Sequence, residues 1–390
     1  MRSTASFCHM NSFFRYALFF SFVMLTAGCA SQPAATSKPA ETPVRMRGFT
    51  VSSLAPENLR DAREQWGANI VRWQLNVIDS TAVRKKISKQ EAWDEVFAKF
   101  PAGLDAARDQ GMTVVFSFPQ NAFMPHEPSR SNRERYAEFW KDEGGHNLQT
   151  LVDAWKRIAT LCAERPDQPI WFDLMNEPLD WTQMPSYPKQ WPAWAQRLID
   201  EIRAIDPVHP IVIEPGPGGL CWGFKTFPAL TGGNLIYSLH QYQPQSYTHQ
   251  GIADIRNTDL AQAYLERQRG WPGVFGDSGG GFWDKARIEQ ELQPVFDFME
   301  RNPDARIYVG EFSVIRWAPD GAKYLREIIE IFEEHGWDWT YHAFREFNGW
   351  SVEHDNVYSD SPHAKKSVGI SDRGAVLLDF MKPSAATATK

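Results

Sequence analysis

Cysteine is scarce, with four in 390 residues. Cys8, Cys29, Cys162 and Cys221 form no Cys/His cluster with metal-ligand spacing, so no metal site is expected. Cys162 and Cys221 could pair in an oxidising compartment, but nothing in their spacing demands it. Cys162 falls in a helical pattern and reads as a small core residue. Positive charge is in deficit too: 41 Lys and Arg face 48 Asp and Glu, a net charge of −7, with no basic run. That argues against a nucleic-acid partner. No Gly-x-Gly-x-x-Gly follows the first strand-like run, and Gly279-Gly280-Gly281 lacks the Lys-Ser/Thr of a phosphate loop and reads as a flexible loop. Apolar runs are short. The longest candidate, 16–25, is too brief to span a bilayer.

That short run follows Arg2 and Arg15 and precedes small residues, the pattern of a secretory signal over residues 1–28. Leu25-Thr26-Ala27-Gly28-Cys29 resembles a bacterial lipobox. The resemblance implies cleavage before Cys29 and a lipid on its sulfur, with Ala30 favouring the outer membrane; the alternative is ordinary cleavage nearby. Residues 29–44 are small, polar and Pro-rich and read as a tether, and 383–390 as a frayed tail. One domain, 45–382, remains.

Tryptophan is abundant, with 16 residues. Trp181, Trp191, Trp222, Trp271, Trp283, Trp317 and Trp350 lie beside loop-forming residues. Indole faces stack on the C–H faces of sugar rings, so about a third are expected to meet ligand and the rest to pack. Eight β-like runs cross the domain: 47–51, 69–75, 113–118, 170–175, 211–214, 235–240, 306–309 and 339–344. Helical periodicity marks 56–66, 91–110, 148–164, 191–205, 286–301 and 321–335 between them, several ending before a Gly suited to a left-handed cap. Eight strands alternating with helices predict a (β/α)₈ barrel rather than a doubly wound open sheet.

Two of those apolar runs end in a glutamate, Glu177 after the fourth and Glu311 after the seventh. In a barrel both would reach the same mouth, where paired carboxylates can cleave a glycosidic bond. Arg72, Asn176, His240 and Tyr242 occupy the same strand ends.

Asn176-Glu177-Pro178, Gly310-Glu311-Phe312, Arg72 and His240-Gln241-Tyr242 together resemble glycoside hydrolase family 5, the cellulase family, over about residues 45–380. The resemblance implies Glu177 as general acid/base and Glu311 as nucleophile of a retaining enzyme that needs no cofactor. Arg72 and Tyr242 would hold Glu311 ionised, Asn176 would bind the sugar 2-hydroxyl, and His240 would join the acid/base network or contact sugar. The family's commonest substrate is β-1,4-glucan; mannan, xyloglucan, mixed-linkage glucan, transglycosylation and non-catalytic glycan binding are the alternatives. A monomer is the default.

Two departures stand out. The family's strand-three histidine is missing, with Gln120 or Asn121 as stand-ins. The strand-eight tryptophan that floors the cleavage site is missing too, leaving Phe344 or, preferably, Trp350. Glu214, followed by Pro215-Gly216-Pro217, is read as structural, and Arg345 with Glu346 as a rim pair. His249 and Gln250 could contact a polysaccharide.

Overall fold

The computed structural model describes residues 44–382 apart from 76–77, 125–128 and 256–257. The expected signal peptide, Cys29, the tether as far as residue 43 and the 383–390 tail lie outside these residues.

The strands are β1 (Arg47–Val51), β2 (Ile70–Gln74), β3 (Thr113–Pro119), β4 (Ile170–Asn176), β5 (Ile211–Ile213), β6 (Leu235–Gln241), β7 (Gly273–Phe275), β8 (Gly281–Trp283), β9 (Arg306–Phe312) and β10 (Asp338–Phe344). Eight of them close a barrel in the order β1-β10-β9-β6-β5-β4-β3-β2. Every barrel pairing is parallel, as the helical crossovers require. These are the eight strands anticipated from the apolar runs. The added pair, β7 and β8, is an antiparallel hairpin after the sixth barrel strand. The triple glycine read as a flexible loop belongs to its turn, where Gly279, Gly280 and Gly281 all take positive φ. Positive φ is conformation that glycine adopts without steric cost.

The helices expected from periodicity are present, with one correction, and others were not anticipated. The expected helix 286–301 is two, Lys285–Glu291 and Gln293–Arg301. Pro294 has no N–H to donate to the preceding turn, so the chain restarts there. Asn132–Lys141 was not anticipated, although Ser131 and Glu134 form a capping box at its start. Trp155 ties the helix His146–Ala163 to the barrel by donating from Nε1 to the Leu174 carbonyl at 3.0 Å. Cys162 and Cys221 are both buried and free, so the optional disulfide does not form.

Period two decides what enters the barrel. Ile70, Val115, Trp171, Val212, Ile236 and Tyr308 form an apolar plug in its interior. Two residues further along the same strands stand Arg72, Ser117, Asp173, Glu214 and Ser238, all buried. The barrel therefore changes from oil to polar groups within one step toward its C-terminal mouth.

The register slips on three strands, β4, β9 and β10, and two of these slips re-aim site residues. Ser117 pairs with Asp173, but Pro119 pairs with Asn176, so β4 gains a residue against β3. Leu239 pairs with Val309, but His240 pairs with Glu311, so β9 gains one against β6. Without these slips Met175 and Gly310 would face inward, and Asn176 and Glu311 outward. Bulges of this kind re-aim side chains beside active sites.

Candidate active site

Arg72 is the hub of the mouth. Its side chain is wholly buried and spends its donors on five acceptors. Nε donates to Asp173 Oδ2 at 2.9 Å, Nη1 to Glu311 Oε1 at 2.7 Å, and Nη2 to Asn176 Oδ1 at 2.9 Å, Glu214 Oε1 at 3.0 Å and Ser117 Oγ at 3.2 Å. Burial works against its charge, but Asp173, Glu311 and Glu214 outweigh that and keep the guanidinium charged. A planar fork suits this task better than an ammonium would.

Glu311 is held on both oxygens. Besides Arg72, Gln74 Nε2 reaches Oε1. Tyr242 donates from Oη to Oε2 at 2.9 Å, and His342 Nδ1 lies 3.2 Å from the same atom. Burial pushes the Glu311 carboxyl up, yet His240, His342 and Arg72 overcome it and hold it well below the usual carboxylate range. It is therefore an anion at neutral pH, as a nucleophile must be.

Glu177 behaves oppositely. Burial raises its pKa, with Glu311 and Glu214 adding to the rise and His240 opposing it. The side chain remains 38 % exposed to the cleft, so it is open to a ligand there. Its backbone is left-handed, with φ 54°, a costly state for a residue with a Cβ. The Glu177 N–H donates to Glu214 Oε2 at 2.9 Å, which holds that conformation.

His240 joins the two glutamates. Its Nδ1 lies 2.8 Å from Glu177 Oε1 and 3.8 Å from Glu311 Oε2, and Nε2 lies 3.2 Å from Glu214 Oε1 without hydrogen-bond alignment. Two close approaches require glycine here. A Cβ on Gly219 would sit 2.7 Å from His240 Nδ1, and one on Gly310 would sit 2.9 Å from Ser238 Oγ and 3.1 Å from His240 Nε2. One carboxylate oxygen each of Glu177 and Glu311, with a ring nitrogen of His240, all lie within 4.8 Å of one another. Retaining glycosidases set their two carboxyl groups about 5–5.5 Å apart and inverting ones about 6.5–9.5 Å, so this pair has the retaining spacing.

The cleft above the pair has a volume of about 620 Å³. Trp181, Trp222 and Trp350 line it, whereas Trp191, Trp271, Trp283 and Trp317 are packed in the core. Tyr242 and His249 line it as well; Gln250 does not, and instead hydrogen-bonds the Arg269 backbone. Trp350 reaches back over the mouth, with ring contacts to His249, Tyr242 and His342, while Phe344 packs on Phe49 below.

All the anticipated site residues, Arg72, Asn176, Glu177, His240, Tyr242, Glu311 and Trp350, meet at this mouth. Several readings need correction. Glu214 is not a mere turn carboxylate; it bridges Arg72 and Glu177. Gln120 is buried and accepts the Leu179 N–H at 2.9 Å, so it steadies the loop after Glu177, while Asn121 is exposed. Arg345 pairs with Asp61 and Glu353 rather than Glu346. Gln74, Asp173 and His342 were missed. The first two stand two residues from inward-facing neighbours, so strand period alone could have found them. His342 stands at the strand-eight mouth, where the resemblance called for tryptophan.

Comparison with known proteins identifies the family. The sequence model of the cellulase family, glycosyl hydrolase family 5, matches residues 37–348. Endoglucanase 3 of Fibrobacter succinogenes is 34 % identical over 108 residues, which are 27 % of this chain and only 16 % of that protein. Cellodextrinase A of Ruminococcus flavefaciens is 22 % identical over 289 residues, 70 % of this chain and 73 % of that protein. Thermotoga maritima Cel5A, solved with mannotriose, superposes with a TM-score of 0.60 at 20 % identity, over 85 % of this chain and 97 % of its own. The cellulose synthase subunit Z of Clostridioides difficile superposes with a TM-score of 0.60 at 17 % identity, over 86 % of this chain and 99 % of its own. With the family's sequence signature running through the barrel and its paired glutamates in place, the chain belongs to the cellulase family, glycosyl hydrolase family 5, and is a retaining glycoside hydrolase.

Proposed function

We propose that this enzyme cleaves β-1,4-glucan within the chain, with Glu311 as nucleophile and Glu177 as acid/base. The observation that carries the roles is their opposite electrostatics across one sugar-sized gap. Glu311 is surrounded by cations and donors, while Glu177 is raised and faces the cleft. A Glu311 oxygen attacks the anomeric carbon as the bond to the leaving oxygen breaks, and Glu177 gives that oxygen its proton. Water then attacks the same carbon, Glu177 takes the water's proton, and the ester to Glu311 breaks with retention. Asn176, oriented by Arg72 and Gln74, supports binding of the 2-hydroxyl. Trp350 supplies an apolar floor.

The glucan assignment is supported by the names of the relatives, an endoglucanase and a cellodextrinase. The test is a panel of β-glucan, β-mannan, xyloglucan and mixed-linkage substrates with product sizes followed in time. Mid-chain cuts in cellulose-type glucan are expected. Release of one small product from the outset would replace the endo reading, and turnover confined to mannan would replace the substrate. Glu177→Ala and Glu311→Ala should abolish turnover, which separates catalysis from mere glycan binding. A 2-fluoroglycoside should label Glu311; a label on Glu177 would reverse the roles.

We also propose that Cys29 carries a lipid and tethers the enzyme to the cell envelope, on the strength of the lipobox-like segment. Cys29→Ala should move the enzyme from the membrane fraction to the soluble one; an unchanged distribution would end that proposal.

A further inference from the structure

We propose that His342 is a positioning residue for the nucleophile: an imidazolium that clamps Glu311 and Tyr242 at the strand-eight mouth, where the family resemblance calls for a stacking tryptophan. The proposal rests on Glu311 being the nucleophile.

Hydrogen-bond accounting gives the ring its proton on one side. Tyr242 has one hydroxyl proton, and it points to Glu311 Oε2 at 2.9 Å. The contact of 2.7 Å between Tyr242 Oη and His342 Nδ1 must therefore be donated by the ring. That same N–H faces Glu311 Oε2 at 3.2 Å. On the other side, Nε2 is buried, has no hydrogen-bond partner among the described residues and lies 3.6 Å from Glu346 Oε2. A neutral ring with its proton on Nδ1 would aim the Nε2 lone pair at a carboxylate. A second proton turns that repulsion into attraction.

Charge balance points the same way. Asp173, Glu177, Glu214 and Glu311 share the mouth with Arg72, His240 and His342. If all three bases are cationic, neutrality leaves one proton among four carboxyl groups, and burial raises both Asp173 and Glu177 toward holding it. Net charge in a buried cluster is costly, and with one proton on these carboxyl groups the imidazolium brings the count to zero.

The titratable groups facing His342 are the carboxylates Glu311 on β9 and Glu346 beyond its own strand, and the neutral Tyr242 and His249 after β6. Burial lowers the His342 pKa, but Glu311 and then Glu346 raise it to about 10. His249 is pushed the other way, to about 4, by burial and by the charge of His342, so it does not compete as a cation. Arg345, the nearby guanidinium, is turned toward Asp61 and Glu353.

The test compares kcat/KM against pH for wild type and His342→Gln, which keeps a donor but no charge. The acid limb of this profile reports ionisation of Glu311 in the free enzyme. It should move up by about one pH unit, so that kcat/KM at a fixed pH on that limb falls about tenfold. Coincident acid limbs with only KM altered would overturn the proposal and leave His342 a sugar contact. Nitrogen NMR of the wild-type ring gives an answer even if the variant does not fold. Both His342 nitrogens should carry protons at pH 7, and a neutral ring would overturn the proposal. The 2-fluoroglycoside label tests the nucleophile separately: a label away from Glu311 sinks the catalytic reading, whereas unchanged limbs with the label on Glu311 sink only this one.

Discussion

Glu214 Oε2 accepts the backbone N–H of Glu177 at 2.9 Å, so the carboxylate at the end of the fifth barrel strand sets the conformation of the proposed acid/base on the fourth. The other oxygen of Glu214 takes Arg72, which tethers Glu311, the proposed nucleophile. One fully buried side chain thus couples the two glutamates of the mouth.

Glu214→Ala should damage the enzyme twice. Glu177 loses the clamp on its left-handed backbone, and a misplacement of about 1 Å can cost roughly 10²-fold in rate. Arg72 keeps a buried charge with one partner fewer, and breaking a buried pair costs about 3–5 kcal/mol. Steady-state kinetics and thermal unfolding on Glu214→Ala and Glu214→Gln check this. Gln retains an acceptor and should lose less on both counts; equal wild-type kcat for all three enzymes would remove Glu214 from the site.

The depressed pKa of Glu311 also makes stability depend on pH. Its folded value lies below the unfolded one of about 4.3, so the folded state binds fewer protons in that region. Its contribution is complete above the unfolded pKa and is lost as pH falls through the folded one. The Tm of wild type minus that of Glu311→Gln should therefore be steady from about pH 6 to 7 and shrink below about pH 4. A difference that grows on acidification would contradict the assignment.

Tyr242→Phe removes one proton donor and little volume. Glu311 Oε2 loses its 2.9 Å hydrogen bond and His342 Nδ1 loses an acceptor. A hydrogen bond to a charged group is worth about 1.5–3 kcal/mol, or roughly 10- to 100-fold. The loss should appear in kcat more than in KM, because the bond aims a reacting group rather than holding the sugar. A rise in KM alone would assign Tyr242 to binding.

Trp350→Ala should act on binding. The ring lies over the mouth against His249, Tyr242 and His342. Losing a stacking face for a sugar should lower kcat/KM by about tenfold, chiefly through KM, with the acid limb of the pH profile unmoved. A shifted limb with unaltered KM would mean that Trp350 only shapes the electrostatics.

Much of this site could be read before any coordinates. Apolar runs announced the eight barrel strands, and their polar ends put Arg72, Asn176, Glu177, His240, Tyr242 and Glu311 at one mouth. Glu214 is structural as its sequence context suggests, but a Pro-Gly-Pro sequence describes the chain after it and says nothing about what its side chain meets. His342 is not legible in the sequence because its role depends on Glu311 and Tyr242, which lie on other strands.

Strand identity, helix periodicity and the barrel follow from the sequence alone, since they depend on residues within a few positions of each other. The slips beside Pro119 and Gly310 are decided by neighbouring strands, whose hydrogen bonds fix register from far away in the chain. Those slips turn Asn176 and Glu311 inward. The protonation of Glu177, Glu311 and His342 is likewise a property of the assembled mouth, because burial and opposing charge act through space and not along the backbone.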